Sequence, residues 1–410
     1  MPASAPATNR VPDRVRDGAP DRVNVLLITM LDPDAPPGGR ELLCRLNARA
    51  LMQVFEESLT VHRLTRRSVA GLINAMRGPP GLDPQETARV IARVGDIAAG
   101  QVFVDGSSLG HIVAPIRRAF PHVRVVTFFH NVEARFFLGA ARAKRTALSL
   151  ALLAANYAAE RQAVRHSDAI VCLSRRDSEA LRRLYGRGAD YLSPIAVEDA
   201  LPPHPAIARR TGRYLLFVGG AFYANRCGIE WFAREVAPRA PLPTVIIGQG
   251  MDALRREFGE SPNIRIVGAV ENLAPCYLGA HCVVAPIFDG SGMKTKVAEA
   301  LMFGKRIIGT AEAFSGYAPD VVSAGWLAED ARGFLAAIEE AAKADLPVFD
   351  PAARALYEAS HSLAAATRRM AEIMRPPLSG YPRHATARSP ITARPASAGS
   401  LAPAARRERR

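Results

Sequence analysis

The stretch 285–304 leaves this chain few folds to choose from. Residues 281–286 form an apolar run that reads as a buried strand. A glycine-bearing loop follows, then a short helix that should stop at Gly304, ahead of a second apolar run at 306–310. Strand, loop, helix and strand in that order make a βαβ unit. Its loop falls at the carboxyl edge of a parallel sheet, where folds of this kind bind ligands. Gly290 and Gly292 allow the backbone to come close to an anion, and Lys294 and Lys296 stand where the helix begins. Helix N-terminal amides joined by two ammonium groups form, in physical terms, a phosphate site. Glu299, one turn further on, offers a carboxylate that can accept hydrogen bonds from ligand hydroxyls.

The same alternation runs along most of the chain and predicts an α/β protein. Apolar strands are expected at 23–29, 59–64, 101–105, 124–129 and 169–173, with helical segments between them. Periodicity then fails around Ser193-Pro194 and again at 201–205, where proline accumulates, so a linker belongs there. Beyond it the pattern restarts: strands at 214–218, 244–247 and 264–267 each run into glycine, Gly219-Gly220 after the first. A chain of 410 residues exceeds one ordinary core and suits two domains of about 150–200 residues. The expected division is a disordered leader at 1–21, a first Rossmann-like domain at 22–200 and a second at 201–349. A closing amphipathic helix at 350–375 and a disordered basic tail at 376–410 complete it.

The net charge of +14 suggests nucleic acid until it is located: eight arginines against the single acid Glu408 lie from Arg375 onward. Without zinc-finger spacing or interleaved basic and aromatic residues, no nucleic-acid partner is expected. Five cysteines, odd in number and without a CxxC pair, argue for a reducing compartment and against a disulfide or zinc framework. The first residues lack the apolar core of a secretory signal, and the uncharged apolar stretch 146–159 is too short to span a bilayer. A cytoplasmic protein is expected. The segment 135–165 carries Arg135, Arg142, Lys144, Arg145, Arg161 and Arg165 against Glu160, around an apolar run at 148–153. Such a segment suits either an anionic membrane face or a core helix with a solvated basic end.

Four places together resemble the retaining glycosyltransferases of the GT-B fold, grouped as glycosyltransferase family 4 or glycosyl transferases group 1. Pro37-Gly38-Gly39-Arg40 follows the first strand as that family's glycine loop does. His130-Asn131-Val132-Glu133-Ala134-Arg135-Phe136 is similar to a segment of bacterial polysaccharide enzymes of this type. Residues 167–174 resemble the strand that ends the first domain, and Gly290 to Gly304 resembles the donor loop. The resemblance implies two Rossmann-like domains facing across a cleft, with a nucleotide-diphosphate sugar held mainly by the second. It implies that Lys294 and Lys296 hold the diphosphate and that Glu299 binds the ribose hydroxyls. Gly38, Gly39, Gly219, Gly290 and Gly292 would approach the donor, and His130 would contact the transferred sugar near the reacting carbon.

Two departures stand out. Eight residues before Glu299, where the family often carries a sugar-contacting glutamate, this chain has Ser291, with Asp289 two positions earlier. After Gly219-Gly220, where an arginine and a lysine are common, it offers Arg226. With two lysines on the diphosphate, no metal or other cofactor is expected, and the nucleotide-sugar is a substrate. The acceptor implied is a saccharide, lipid-linked through a polyprenyl diphosphate, in surface polysaccharide assembly. A catalytically silent partner subunit and a nucleotide-sugar epimerase of the same fold stay open as alternatives. Glu133 and Arg135 suit pairing with each other or the next helix as well as acceptor binding. Trp231 and Phe232 read as core, His111 and His281 as structural.

Overall fold

The computed structural model describes residues 23–30, 39–64, 84–144, 146–203, 213–259, 261–290 and 292–375, with the backbone alone at 140–144. Gly38, Ser291, the leader and the basic tail lie outside the described residues, as do Arg145 and the side chains of Arg142 and Lys144.

Strands β1 (Val25–Thr29), β2 (Leu59–Arg63), β3 (Gln101–Asp105), β4 (Arg124–Phe129), β5 (Ala169–Cys172) and β6 (Tyr191–Leu192) form one parallel sheet in the order β2-β1-β3-β4-β5-β6. Strands β7 (Leu215–Val218), β8 (Thr244–Ile247), β9 (Ile264–Gly268), β10 (Cys282–Ala285), β11 (Ile307–Gly309) and β12 (Trp326–Leu327) form a second parallel sheet, ordered β12-β11-β10-β7-β8-β9. The central strands are buried on both faces, which is why they read as unbroken apolar runs rather than as alternation.

In each sheet the strand order reverses once, between β1 and β3 in the first and between β7 and β10 in the second. Diverging crossovers at such a switch point leave a crevice beyond the carboxyl ends of the strands. Asp105 ends β3 at the first of these points; Gly219 and the glycine loop follow β7 and β10 at the second.

The helices that matter to the site are α1 (Gly39–Phe55), α2 (Glu133–Lys144), α3 (Ala147–His166), α4 (Arg175–Tyr185), α5 (Tyr223–Glu235), α6 (Thr295–Met302), α7 (Pro351–Ser360) and α8 (Leu363–Met374). The expected single helix at 350–375 is two. His361 leaves helical geometry, and Ser362 restarts the helix by accepting a hydrogen bond from Ala365 N (3.2 Å). Through this break α7 packs on α6, whereas α8 returns to the first sheet and lies along α1. There Thr367 Oγ1 donates to Gln53 Oε1 (2.7 Å) and Arg124 Nη2 to Ile373 O (2.9 Å). One hydrophobic core therefore runs from β1 and α1 through the second sheet to α8.

Gly228 on α5 shows why a small residue is needed where that helix meets the glycine loop. A Cβ there would lie 1.8 Å from Pro286 O. Gly228→Ala is expected to destabilise the protein by about 1–3 kcal/mol through overpacking. An unchanged denaturant midpoint would mean that α5 slides freely.

Candidate functional site

The loop between β10 and α6 is shaped by Gly290 (φ 139°) and Gly292 (φ 68°), both in the region that other residues enter at a cost. It delivers Lys294 to the start of α6. There Lys294 Nζ donates to Gly292 O (2.8 Å) and to Glu312 Oε1 (2.9 Å), while Glu312 Oε2 accepts from Arg176 Nη1 (2.8 Å). Arg176 belongs to α4 in the first domain, so this ion chain crosses from one sheet to the other. Tyr317 braces the same turn, its hydroxyl donating to Lys294 O (2.8 Å) and accepting from Ala298 N (3.1 Å). Burial lowers the Lys294 ammonium from its ordinary pKa despite Glu312.

Two residues on, Lys296 is buried. Its Nζ donates to Asn225 Oδ1 (2.6 Å) and sits 4.5 Å from the centre of the Phe217 ring. Burial pushes its pKa down to about 7, a cost that the charge of Glu299 offsets only in part and that Lys294 adds to. Asn225 lies against Gly219, where a Cβ would be 2.8 Å from Asn225 Nδ2. Glu299 accepts from Tyr277 Oη (2.8 Å), and burial raises its carboxyl. The structure thus brings Gly219, Gly290, Gly292, Lys294, Lys296 and Glu299 around one crevice. Arg226 points elsewhere: exposed on α5, its Nε donates to Glu230 Oε1 (2.6 Å). Asp289 accepts from Tyr223 Oη (3.0 Å) and from Gly290 N (2.7 Å).

Across from the loop lies His130, just past β4. A Cβ on Gly292 would be 3.8 Å from His130 O, so the two halves meet here. The His130 ring is set by Asp105, whose Oδ1 lies 2.8 Å from His130 Nε2 and accepts from Asn47 Nδ2 (2.8 Å). Oδ2 accepts from Thr29 Oγ1 (2.9 Å), a contact dictated by the β1–β3 register that places Thr29 beside Asp105. Burial alone would raise the Asp105 carboxyl; the charge and hydrogen bond of His130, with those of Asn47 and Cys44, hold it below the usual range. An ionised Asp105 only accepts, so His130 Nε2 carries the hydrogen.

Cys44, Asp105 and His130 bring three ligand atoms within 4.8 Å of one another. The Cys44 thiol, raised first by burial and then by Asp105, stays protonated and bonds to that carboxylate. The set is therefore a hydrogen-bonded knot rather than a ready metal site. Gly39 opens α1, and among the described residues no atom lies within 4 Å of where a Cβ would stand.

Glu160 on α3 holds the segment after His130. It accepts from Glu133 N (2.7 Å), Ala134 N (3.2 Å), Ser107 Oγ (3.1 Å) and Tyr185 Oη (2.7 Å), and burial raises its carboxyl to about 7. Burial raises Glu133 as well. Phe232 is core and Trp231 packs edge-on against Phe288 and Phe334. His281 Nε2 lies 2.6 Å from Ala341 O, and His111 sits on the turn Ser107–Ile112. The sequence reading missed Asp105, Asn225, Arg176, Glu312 and Glu160. Of these only Asp105 carried a signal, an acid closing an apolar strand at the sheet's carboxyl edge.

Comparisons with known proteins agree with this geometry. A family profile described as "Glycosyl transferases group 1" matches residues 212–344, which span the second sheet and the glycine loop. No curated protein sequence matches the chain. Sucrose-phosphate synthase from Thermosynechococcus elongatus shares the fold with a TM-score of 0.65 at 18% identity, over 86% of this chain and 98% of that one. WaaG, a glycosyltransferase involved in lipopolysaccharide biosynthesis, aligns with a TM-score of 0.59 at 14% identity over 86% and 99%. HepE from Anabaena, in complex with UDP-glucose, does so with a TM-score of 0.57 at 11% identity over 85% and 98%.

Proposed function

We propose, from the premise that the chain is a glycosyltransferase of the GT-B fold, that it moves a sugar from a nucleotide-diphosphate donor to a lipid-linked saccharide with retention. The observation that carries this reading is Lys294 and Lys296 at the start of α6, on the loop whose Gly292 meets the backbone of His130. As the bond to the departing diphosphate breaks, negative charge grows on its oxygens while the sugar gains oxocarbenium character. The two ammonium groups and the amides of α6 meet that charge, so a divalent ion is unnecessary. Glu299 takes the ribose hydroxyls, Gly39 leaves room for the donor, and Gly219 lets Asn225 pack where it holds Lys296. His130, locked by Asp105, lies where the transferred sugar sits. Among the described residues no side chain on the crevice is placed as a nucleophile, and in this reading the acceptor attacks on the face the diphosphate leaves, with the phosphate taking the proton.

Among the described residues no helix is long and apolar enough to cross a membrane. In this reading the acceptor belongs to surface polysaccharide assembly and is met at the cytoplasmic face of a membrane, and the support for a membrane face is the basic charge of the segment 135–165. The test is calorimetric binding of UDP, GDP, ADP and dTDP compounds, with Lys294→Ala as control. Tight binding of one nucleotide, lost in the variant, supports the donor site; no binding across the panel removes it and favours a silent partner subunit.

The same titration has a pH signature. In the empty protein Lys296 releases its proton at about 7, and a bound diphosphate draws it back. Binding should therefore take up a proton, and affinity should fall towards roughly tenfold per pH unit above 7. The empty protein moves the other way. Its folded pKa lies below the unfolded one, so stability rises with pH from about 7 towards the ordinary lysine value. Affinity that stays flat between pH 7 and 9 would remove Lys296 from the diphosphate.

A further inference from the structure

Between α2, α3 and α4 lies a groove of about 700 Å³ that none of the donor residues lines. Its walls are apolar: Leu138 from α2, Leu150, Leu153 and Ala154 from α3, Leu184 from α4. Several of these face solvent, Leu150 at 56% exposure and Leu184 at 38%, which a soluble surface avoids without a reason. Arg135, Arg176 and Arg183 line the same groove, against one acid, Glu179. Its position adds a third observation. Arg176 bonds Glu312, which bonds Lys294, so the groove runs up to the loop proposed to hold the diphosphate.

An occupant that satisfies all three has an apolar body, an anionic head that suits guanidinium forks, and a reacting end near Lys294. We propose that this groove is the acceptor's lipid subsite, taking the hydrocarbon of a lipid phosphate or diphosphate with its head on Arg135 and Arg183. The proposal rests on the glycosyl-transfer reading and gives its lipid-linked acceptor a binding place on the first domain. Planar guanidinium groups pair bidentately with phosphate oxygens, and leucine and alanine walls gain from the hydrocarbon leaving water.

The test uses the full chain and farnesyl diphosphate as probe, with farnesol and inorganic diphosphate as its two halves. Farnesyl diphosphate should bind at least tenfold tighter than either half, and saturating UDP, GDP, ADP and dTDP together should not displace it. Ala154→Trp, which fills the groove from an exposed helix position, and Leu184→Glu should each weaken it tenfold or more. Both should keep the wild-type unfolding temperature and nucleotide affinity. Displacement by nucleotides, binding no tighter than diphosphate alone, or unchanged affinity in both variants would overturn the proposal. Nucleotide binding without farnesyl diphosphate binding leaves the donor reading standing and removes the groove; the reverse removes the donor reading alone. Absence of both removes both.

Discussion

Lys294→Ala should lower kcat/KM for the nucleotide-sugar by about 10²–10³-fold, the loss seen when one pre-positioned donor to a developing anion is removed. Transfer to the acceptor, or slow hydrolysis of the donor, reads it directly. The fold should survive, because Glu312, which Lys294 pairs with in the empty protein, keeps Arg176 as a partner. Thermal unfolding within a few degrees of wild type would confirm that the variant reports chemistry. A rate equal to wild type would take the lysine out of the reaction and leave it as a brace between the two sheets. Lys294→Arg separates charge from shape: it keeps the cation but cannot fit the short reach to Gly292 O, so it should recover only part of the loss.

Asp105→Ala should cost about 3–5 kcal/mol of stability, in the range for removing one member of a buried charged pair. The carboxylate is buried and gathers Thr29, Asn47 and His130 from three separate stretches of chain. Its loss removes the buried acceptor that these three side chains share. Asp105→Asn keeps the shape but exchanges an acceptor for a donor facing His130. It should cost less stability than Ala while still disturbing the ring beside the donor loop. Urea unfolding of both variants decides. A change under about 0.5 kcal/mol in Asp105→Ala, the scale of ordinary surface substitutions, would show that the knot closes around other partners.

Sequence alone made the second crevice legible because its parts are local. Gly290, Gly292, Lys294, Lys296 and Glu299 follow one another across a single strand–loop–helix turn, and secondary structure places them together. His130 entered by another route, the resemblance of the segment 130–136 to a family motif, and not from local pattern. The groups that hold these residues were not legible, because their contacts depend on strand order and register. Asp105 reaches Thr29 only because β1 and β3 are neighbours in register, and Arg176 reaches Glu312 only because the two sheets face each other. Arg226 shows the converse: a cation near the right glycines in sequence, turned by helix geometry towards Glu230. The helix break at His361 was equally hidden. A buried ring whose Nδ1 meets Ile195 O (2.7 Å) is a tertiary contact with no local pattern.

The return of α8 to α1 has a consequence for how the protein is made. A chain is synthesised from its amino end, and domains tend to fold as they emerge. Here the first sheet comes off the ribosome with the flank of α1 that α8 will cover still open to water. The residues that close it, Ala366, Met370 and Ile373 among them, are among the last of the folded part to appear. The amino-terminal half is therefore finished by a helix translated after the whole second sheet. A premature stop before residue 363 would show itself first as a failure of the half already made.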